Sequence, residues 1–239
     1  MIPPILSTIG VKKRFGGFVA LDGIDFELGA GERVGLIGPN GSGKSTFVNC
    51  LTGALIADEG TIHFGESDIT RLSAHRRARM GIARSFQIPR PFKGLTIREN
   101  IEIPLMFAVG QSDRRKNAEQ AGAILASVGL GSRAEDEPKS LSQVELRKLE
   151  LGRALAANPR VLIADEAMAG LSDHEVDEVL ELLIALNKQG IAIILTEHIM
   201  RAVIGFSDRI VVLVTGKKIA DGAPREVMAH PEVERAYLG

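Results

Sequence analysis

The nine residues GPNGSGKST, Gly38–Thr46, constrain the fold more than any other stretch of the chain. They fit the pattern G-x-x-x-x-G-K-[ST] and lie between an apolar run, RVGLIG at 33–38, and a segment of helical apolar spacing at 44–54. Glycines in such a loop let successive backbone N–H groups turn inward as an anion nest, and the helix that follows adds the positive end of its dipole. The cradle is predicted to consist of Gly38, Pro39, Asn40, Gly41, Ser42 and Gly43. Lys44 is expected to reach the β- and γ-phosphates of a nucleotide, Ser45 to bind Mg²⁺, and Thr46 to contact the α-phosphate region. A strand feeding a helix in this way also commits the chain to an α/β architecture, since parallel strands need crossover connections.

Other runs agree. VLIAD (161–165), IAIILTE (191–197) and RIVVLV (209–214) read as further strands. With RVGLIG, the first two are nearly continuous in apolar residues, as parallel strands buried on both faces are. Helices are expected to follow at about 174–189 and 198–205. FVALDGIDFELGAGE, in the first thirty residues, instead alternates between apolar and polar with turn glycines, which predicts an antiparallel edge or small sheet. The middle, roughly 90–157, is helix-rich, and DRRKNAEQAGAILASVGL carries an amphipathic helix ending at Gly129. The expectation is a single domain over 1–239. Residues 1–89 and 158–239 form a nucleotide-binding core with its β subdomain, and 90–157 an inserted helical lobe.

Composition narrows the class. A formal net charge of −1 gives no general electrostatic reason to expect nucleic acid. The single cysteine, Cys50, cannot form an internal disulfide and reads as a core thiol. No apolar stretch approaches the roughly 18–20 residues that span a bilayer, and MIPPILSTIG lacks the features of a signal peptide, so a soluble cytoplasmic protein is expected. Residues 71–93 hold seven Arg or Lys and no acid. They read first as a solvated face, with contact to anionic headgroups and a membrane partner's helix as the alternative.

Three further elements carry chemistry. VLIADE ends a buried strand in an acidic pair: Asp165 is expected to hold Mg²⁺ through water, and Glu166 to orient or deprotonate an attacking water. His198, in LTEHIM, follows another strand at the carboxyl edge where α/β sheets bind ligands. Gln87, in ARSFQIPRPF, can offer a side-chain oxygen to the metal where core and lobe meet.

Together these residues resemble the ATP-binding-cassette (ABC) ATPases over nearly the whole chain. Gly38–Thr46 matches the Walker A motif, Gln87 the Q-loop, Val161–Glu166 the Walker B motif and His198 the switch histidine. Phe15, in RFGG, falls where the family stacks an aromatic on adenine, with Phe18 a weaker candidate. The resemblance implies a RecA-like P-loop NTPase core, an antiparallel β subdomain and an inserted α-helical subdomain. It also implies ATP and Mg²⁺, with Lys44, Gln87, Glu166 and His198 as catalytic residues. Two cassettes, identical or different, would sandwich two ATP molecules, each site completed in trans by a signature helix whose serine is Ser142 here. GIARSFQIPRPFKGLTIREN, the AGL after the acidic pair and the terminal YLG look like the ATPases of branched-chain amino-acid importers; relatives that import urea or extract lipopolysaccharide share parts of this pattern. That subfamily implies two permease subunits, an extracytoplasmic solute-binding protein, attachment to the cytoplasmic face of the membrane, and no nucleic acid. A low-turnover nucleotide-dependent assembly module and a soluble cassette acting on DNA or ribosomes are the competing readings.

One stretch departs from the family. The signature, normally Leu-Ser-Gly-Gly-Gln, reads LSQVE over Leu141–Glu145, with Asp165 at the family spacing 24 residues beyond Leu141. Val144 stands where a glycine lets the backbone approach a γ-phosphate. Either it narrows that approach, and is strained if the backbone needs positive φ, or the helix keeps ordinary geometry and Val144 points away. Ala167 replaces a proline, which removes some rigidity from the turn after the acidic pair, and Ser172 stands where many cassettes carry an aspartate.

Overall fold

A computed structural model describes residues 3–86, 88–108 and 113–238. Strands β1 (Leu6–Phe15) and β2 (Phe18–Leu28) form an antiparallel hairpin. Strand β3 (Arg33–Ile37) runs into helix α1 (Lys44–Thr52). Then come β4 (Glu59–Phe64), β5 (Ser67–Asp68), α2 (Ala74–Met80) and β6 (Ile82–Ser85). Helices α3 (Ile97–Ala108), α4 (Arg114–Ser127) and α5 (Gln143–Leu155) follow without an intervening strand. The chain closes with β7 (Val161–Asp165), α6 (Asp173–Asn187), β8 (Ala192–Thr196), α7 (Met200–Phe206), β9 (Arg209–Val214), β10 (Lys217–Gly222), α8 (Pro224–Met228) and α9 (Pro231–Leu238).

Two sheets result. One is antiparallel in the order β2-β1-β4-β5; the other runs β10-β9-β3-β8-β7-β6, parallel except for β10 at its edge. The apolar runs are explained by burial on both sides of the larger sheet. Val161 and Ile163 of β7, with Ala192 and Ile194 of β8, face a core shared with the antiparallel sheet and α1. Their neighbours Leu162, Ala164, Ile193 and Leu195 face α6 and α7. In that first core Phe26 of β2 meets Phe47 of α1 edge-on, 5.6 Å between ring centroids, which ties the small sheet to the helix after the glycine loop.

Helices α3, α4 and α5 close on a core of their own that includes Ile97, Ile101, Leu125 and Leu149. The amphipathic helix begins at Arg114 because Asp113 caps it, accepting the Arg115 and Lys116 N–H groups; Gly129, at φ 74, follows its end. The basic run 71–93 is not one surface. It contains α2 and β6, and its Arg77 is fully buried, donating from its guanidinium to the carbonyls of Cys50 (2.6 Å), Leu51 (2.9 Å), Thr70 (3.0 Å) and Leu72 (3.1 Å). Arg77 thereby closes the carbonyl end of α1, where a cation complements the helix dipole. Cys50 is a buried thiol, and desolvation pushes it up to about 11, out of reach of neutral-pH reactivity.

Candidate functional site

The glycine loop joins β3 to α1, and its glycines are required by space as well as conformation. A Cβ on Gly38 (φ 152) would lie 2.1 Å from the Leu213 carbonyl oxygen, and one on Gly43 (φ 104) 2.7 Å from that of Ala20. Gly43 caps α1, so helix and loop are continuous at Lys44. The Lys44 ammonium is buried and donates to the carbonyls of Gly38 (2.6 Å) and Pro39 (3.1 Å) across its own loop. Burial lowers its pKa, and the charges of Glu166 and Asp165 act in the opposite sense. The Ser42 hydroxyl is buried without a hydrogen-bond partner. A buried unpartnered donor in a nest of amides suits an anion's oxygen.

A cavity of about 210 Å³ lies over this loop, lined by Asn40 through Thr46 together with Phe18, Ala20 and Glu166. Phe18, not Phe15, is the aromatic on its wall. The hairpin turn at Gly16 and Gly17 pairs Phe15 with Phe18, and Phe15 lies under the Lys13 ammonium instead, 5.7 Å from its ring centroid. A second cavity of about 500 Å³ adjoins it, bordered by Ser45, Asn49, Arg84, Phe86, Asp165 and Glu166 among others. Ser45 and Glu166 border both.

The acidic pair ends β7 as expected. Asp165 is buried; its Oδ1 accepts from Thr196 Oγ1 (2.5 Å), and its Oδ2 accepts from Nε and Nη2 of Arg84. Arg84 also donates to Asn49 Oδ1 on α1 (2.6 Å). Glu166 leaves the strand in the left-handed region, φ 47, with its N–H held by the Thr196 carbonyl at 2.9 Å. For a side-chain-bearing residue that conformation costs of order 1–3 kcal/mol and is kept only where surrounding contacts impose it. It turns the Glu166 carboxylate toward the loop cavity and toward His198, whose Nε2 lies 3.5 Å from Glu166 Oε1.

Lys44, Ser45, Asp165, Glu166 and His198 are therefore gathered at one edge of the parallel sheet. Gln87 lies outside the described residues. Ser142 lines neither cavity; it caps α5 in a reciprocal box with Glu145, which Arg133 grips at 2.8 and 2.9 Å. Val144 follows in regular helical geometry and is buried against the core that contains Leu151, Ala167 and Met168. Among the described residues only Asn158, Glu166 and Thr215 combine a side chain with positive φ, so of the two alternatives at Val144 the ordinary helical geometry is the one present. Ser172 caps α6, donating from N (2.8 Å) and Oγ (2.7 Å) to Glu175.

The oxygen donors Ser45 and Asp165 suit a hard cation such as Mg²⁺. No group of three or more metal-binding His, Cys, Asp or Glu side chains exists among the described residues.

Sequence reasoning missed Arg84, Thr196, Glu197 and Arg147. Glu197 is buried beside the site, its Oε1 accepting the Met168 N–H at 2.7 Å, and Arg147 of α5 donates to the Ala169 carbonyl at 3.0 Å. For Arg84 the position three residues before Gln87 was the available signal, hidden within a basic run.

Known proteins resemble this chain over its whole length. Residues 21–169 match the ABC transporter family, and 217–239 match a segment described as branched-chain amino acid ATP-binding cassette transporter. The chain is 38% identical to the high-affinity branched-chain amino acid transport ATP-binding protein LivG of Escherichia coli and 36% identical to that of Salmonella typhimurium, each over 100% of this chain and 99% of the relative. It is 35% identical, with the same coverage, to BraF of Pseudomonas aeruginosa, which bears the same description. Among solved structures, the ADP conformation of an ATP-binding cassette of an ABC transporter superposes with a TM-score of 0.88 at 31% identity, covering 99% of both chains. A dimeric cassette in a post-hydrolysis state, bound to ADP and Pi, superposes with a TM-score of 0.82 at 26% identity, over 92% of this chain and 99% of that one.

Proposed function

The chain belongs to the ABC transporter family, and from that premise we propose that it is the ATP-hydrolysing subunit of an importer for branched-chain amino acids. The observation that carries the ATPase reading is the meeting of Lys44 and Glu166 on the cavity over the glycine loop, with Asp165 on the cavity that adjoins it and His198 3.5 Å from Glu166. The solute follows from the descriptions of the full-length relatives and from the match over 217–239.

In this reading the nest amides of Gly41–Ser45 and the Lys44 ammonium hold the β- and γ-phosphates. Lys44 exchanges its two carbonyl partners for phosphate oxygens, a gain in charge complementarity for a desolvated ammonium. Glu166 accepts the proton of the attacking water, and its left-handed backbone keeps the carboxylate aimed into the site. His198 donates to the γ-phosphate from beside Glu166. Ser45 and Asp165, with Gln87, would hold Mg²⁺, which when bound neutralises developing charge on the phosphates. Phe18 is the better placed of the two aromatics to meet the base, with Phe15 beside it on the hairpin.

Ser142 serves the nucleotide of a second cassette, which is why its absence from this chain's own cavities fits the reading. No described helix is long and apolar enough to cross a membrane, so separate permease subunits supply the solute path, at the cytoplasmic face of the membrane. A groove between the core and the helical lobe, lined by Ala78, Phe86, Pro104 and Ala157, suits a permease helix; Ile88, Phe92, Met106 and Phe107 are exposed apolar residues on the segments that follow Phe86 and Pro104 or lead into α3. A solute-binding protein acts through those permeases.

Reconstitution with the permease subunits in liposomes tests the assignment. ATP turnover is expected to rise when binding protein loaded with leucine, isoleucine or valine is added. Stimulation by urea and by none of these amino acids would overturn the solute assignment.

A further inference from the structure

The turn that follows Glu166 is held from two sides, by Glu197 and by Arg147. It is buried at Ala167 and Met168 and closed by two backbone bonds, Ala169 N–H to the Glu166 carbonyl (3.3 Å) and Leu171 N–H to the Met168 carbonyl (3.2 Å). From one side comes Glu197, the residue before His198 in the chain, which accepts the Met168 N–H at 2.7 Å. From the other comes Arg147, on the helix that begins with Ser142, donating to the Ala169 carbonyl at 3.0 Å. A single buried carboxyl group thus bridges the segment carrying Glu166 and the segment carrying His198. Both side chains point into the site from backbone whose direction that bridge helps to set.

The need for such a bridge is visible locally. Glu166 is held at φ 47, which persists only when its surroundings impose it. Ala167 leaves the turn freer than a proline would. The Thr196 carbonyl fixes the Glu166 N–H, but nothing in that contact fixes the exit of the chain two residues later. Burying an acid is costly unless its hydrogen bonds compensate, and Glu197 is only 3% exposed. A side chain with no bridging role would be expected to be apolar there, as its neighbour Leu195 is.

We propose that Glu197 is a positioning residue for ATP hydrolysis: by holding the Met168 amide against the strand end that leads into His198 it sets the Glu166–His198 separation, while Arg147 ties the same turn to the signature helix. The proposal rests on the ATPase reading above. It acts through the catalytic pair, so it predicts a loss in turnover without a loss in nucleotide binding.

The test uses the full-length protein with four variants: Glu197→Ala, Glu197→Gln, Glu166→Gln and Glu166→Gln combined with Glu197→Ala. Turnover, affinity for a fluorescent ATP analogue and thermal unfolding are measured on each. Glu197→Ala is expected to lower kcat by about tenfold to a hundredfold, the scale of a displaced catalytic group, with analogue affinity unchanged within about twofold. Glu197→Gln keeps an oxygen for the Met168 N–H and is expected to recover most of the rate. Adding Glu197→Ala to Glu166→Gln should lower the residual rate by less than Glu197→Ala lowers the wild-type rate, because the bridge acts in part through Glu166, and an equal loss in both backgrounds overturns the proposal. Retention of wild-type kcat in Glu197→Ala, or parallel loss of kcat and analogue affinity in both Glu197 variants, overturns the proposal. A fully active Glu166→Gln would overturn the ATPase assignment of Glu166 instead, so the two failures are distinguishable.

Discussion

Replacing Val144 with glycine restores the family residue in the signature, and two opposite outcomes can be derived for it. If valine obstructs a partner's nucleotide, the glycine variant gains activity at little structural cost. The structure gives the other answer. Val144 is 8% exposed, packed in the core beneath α6, on the second residue of a regularly capped helix. Removing its side chain forfeits about 2 kcal/mol of apolar burial. Incomplete collapse of the site adds about 1 kcal/mol, and the lower helix propensity of glycine a few tenths more. The sum, about 3 kcal/mol, corresponds to a fall in Tm of roughly 6–12 °C for a chain of this size. Scanning calorimetry on Val144→Gly beside wild type reads it directly, with ATP turnover measured well below either transition. Turnover per folded molecule is expected to stay within about twofold, since the face of the helix that meets solvent is unchanged. An unchanged Tm together with a turnover gain of tenfold or more would refute the inward placement of Val144.

Glu197 makes stability depend on pH. Desolvation raises its carboxyl from the usual 4.5 to about 7 against the pull of the Met168 and His198 amides, so the folded chain holds this proton more tightly than the unfolded chain. The corresponding stability is full below pH 4.5 and lost as pH rises through about 7, up to ~3 kcal/mol; in denaturant titrations Glu197→Gln should lack that loss, and an identical pH slope would contradict it. Arg84 donates to the Asp165 oxygen that the proposed Mg²⁺ site would use, so it would compete with the cation. Arg84→Ala is expected to lower the Mn²⁺ concentration that half-saturates the ADP-bound protein, read by electron paramagnetic resonance, by roughly tenfold, the equivalent of a charge-assisted hydrogen bond of about 1.5 kcal/mol. Arg77→Leu strands the four carbonyls that its guanidinium serves and should cost about 3–5 kcal/mol in urea unfolding, which an unchanged midpoint would exclude.

The parallel core was legible because its strands are buried on both faces and leave unbroken apolar runs: β3, β7, β8 and β9 were all anticipated from residues such as Val161–Asp165. Strand β6 was not, because IARS mixes apolar and polar residues and its arginine pairs with Asp165 on the neighbouring strand, a contact that spans 81 residues of sequence. The same remoteness hid Arg77, which a basic run disguises as surface, and Glu197, which reads as an ordinary solvated acid until Met168 is brought against it. Phe15 was preferred over Phe18 from linear position alone; the two face each other across the hairpin, and only the path of the turn decides which reaches the loop cavity. At Val144 the missing information was direction. A helix start can turn its second residue toward a ligand or toward the core, and the packing of Met168 and Ala167 beneath α5 sets the choice.

The most direct test of the account is Mg²⁺-ATP hydrolysis by the purified protein, wild type beside Glu166→Gln, with nucleotide affinity measured on the same samples. Loss of the general base is expected to lower turnover by about a hundredfold or more while binding is retained. Turnover that survives the substitution would contradict the assignment of Glu166, and with it the reading of the loop, the acidic pair and His198 as one hydrolytic site.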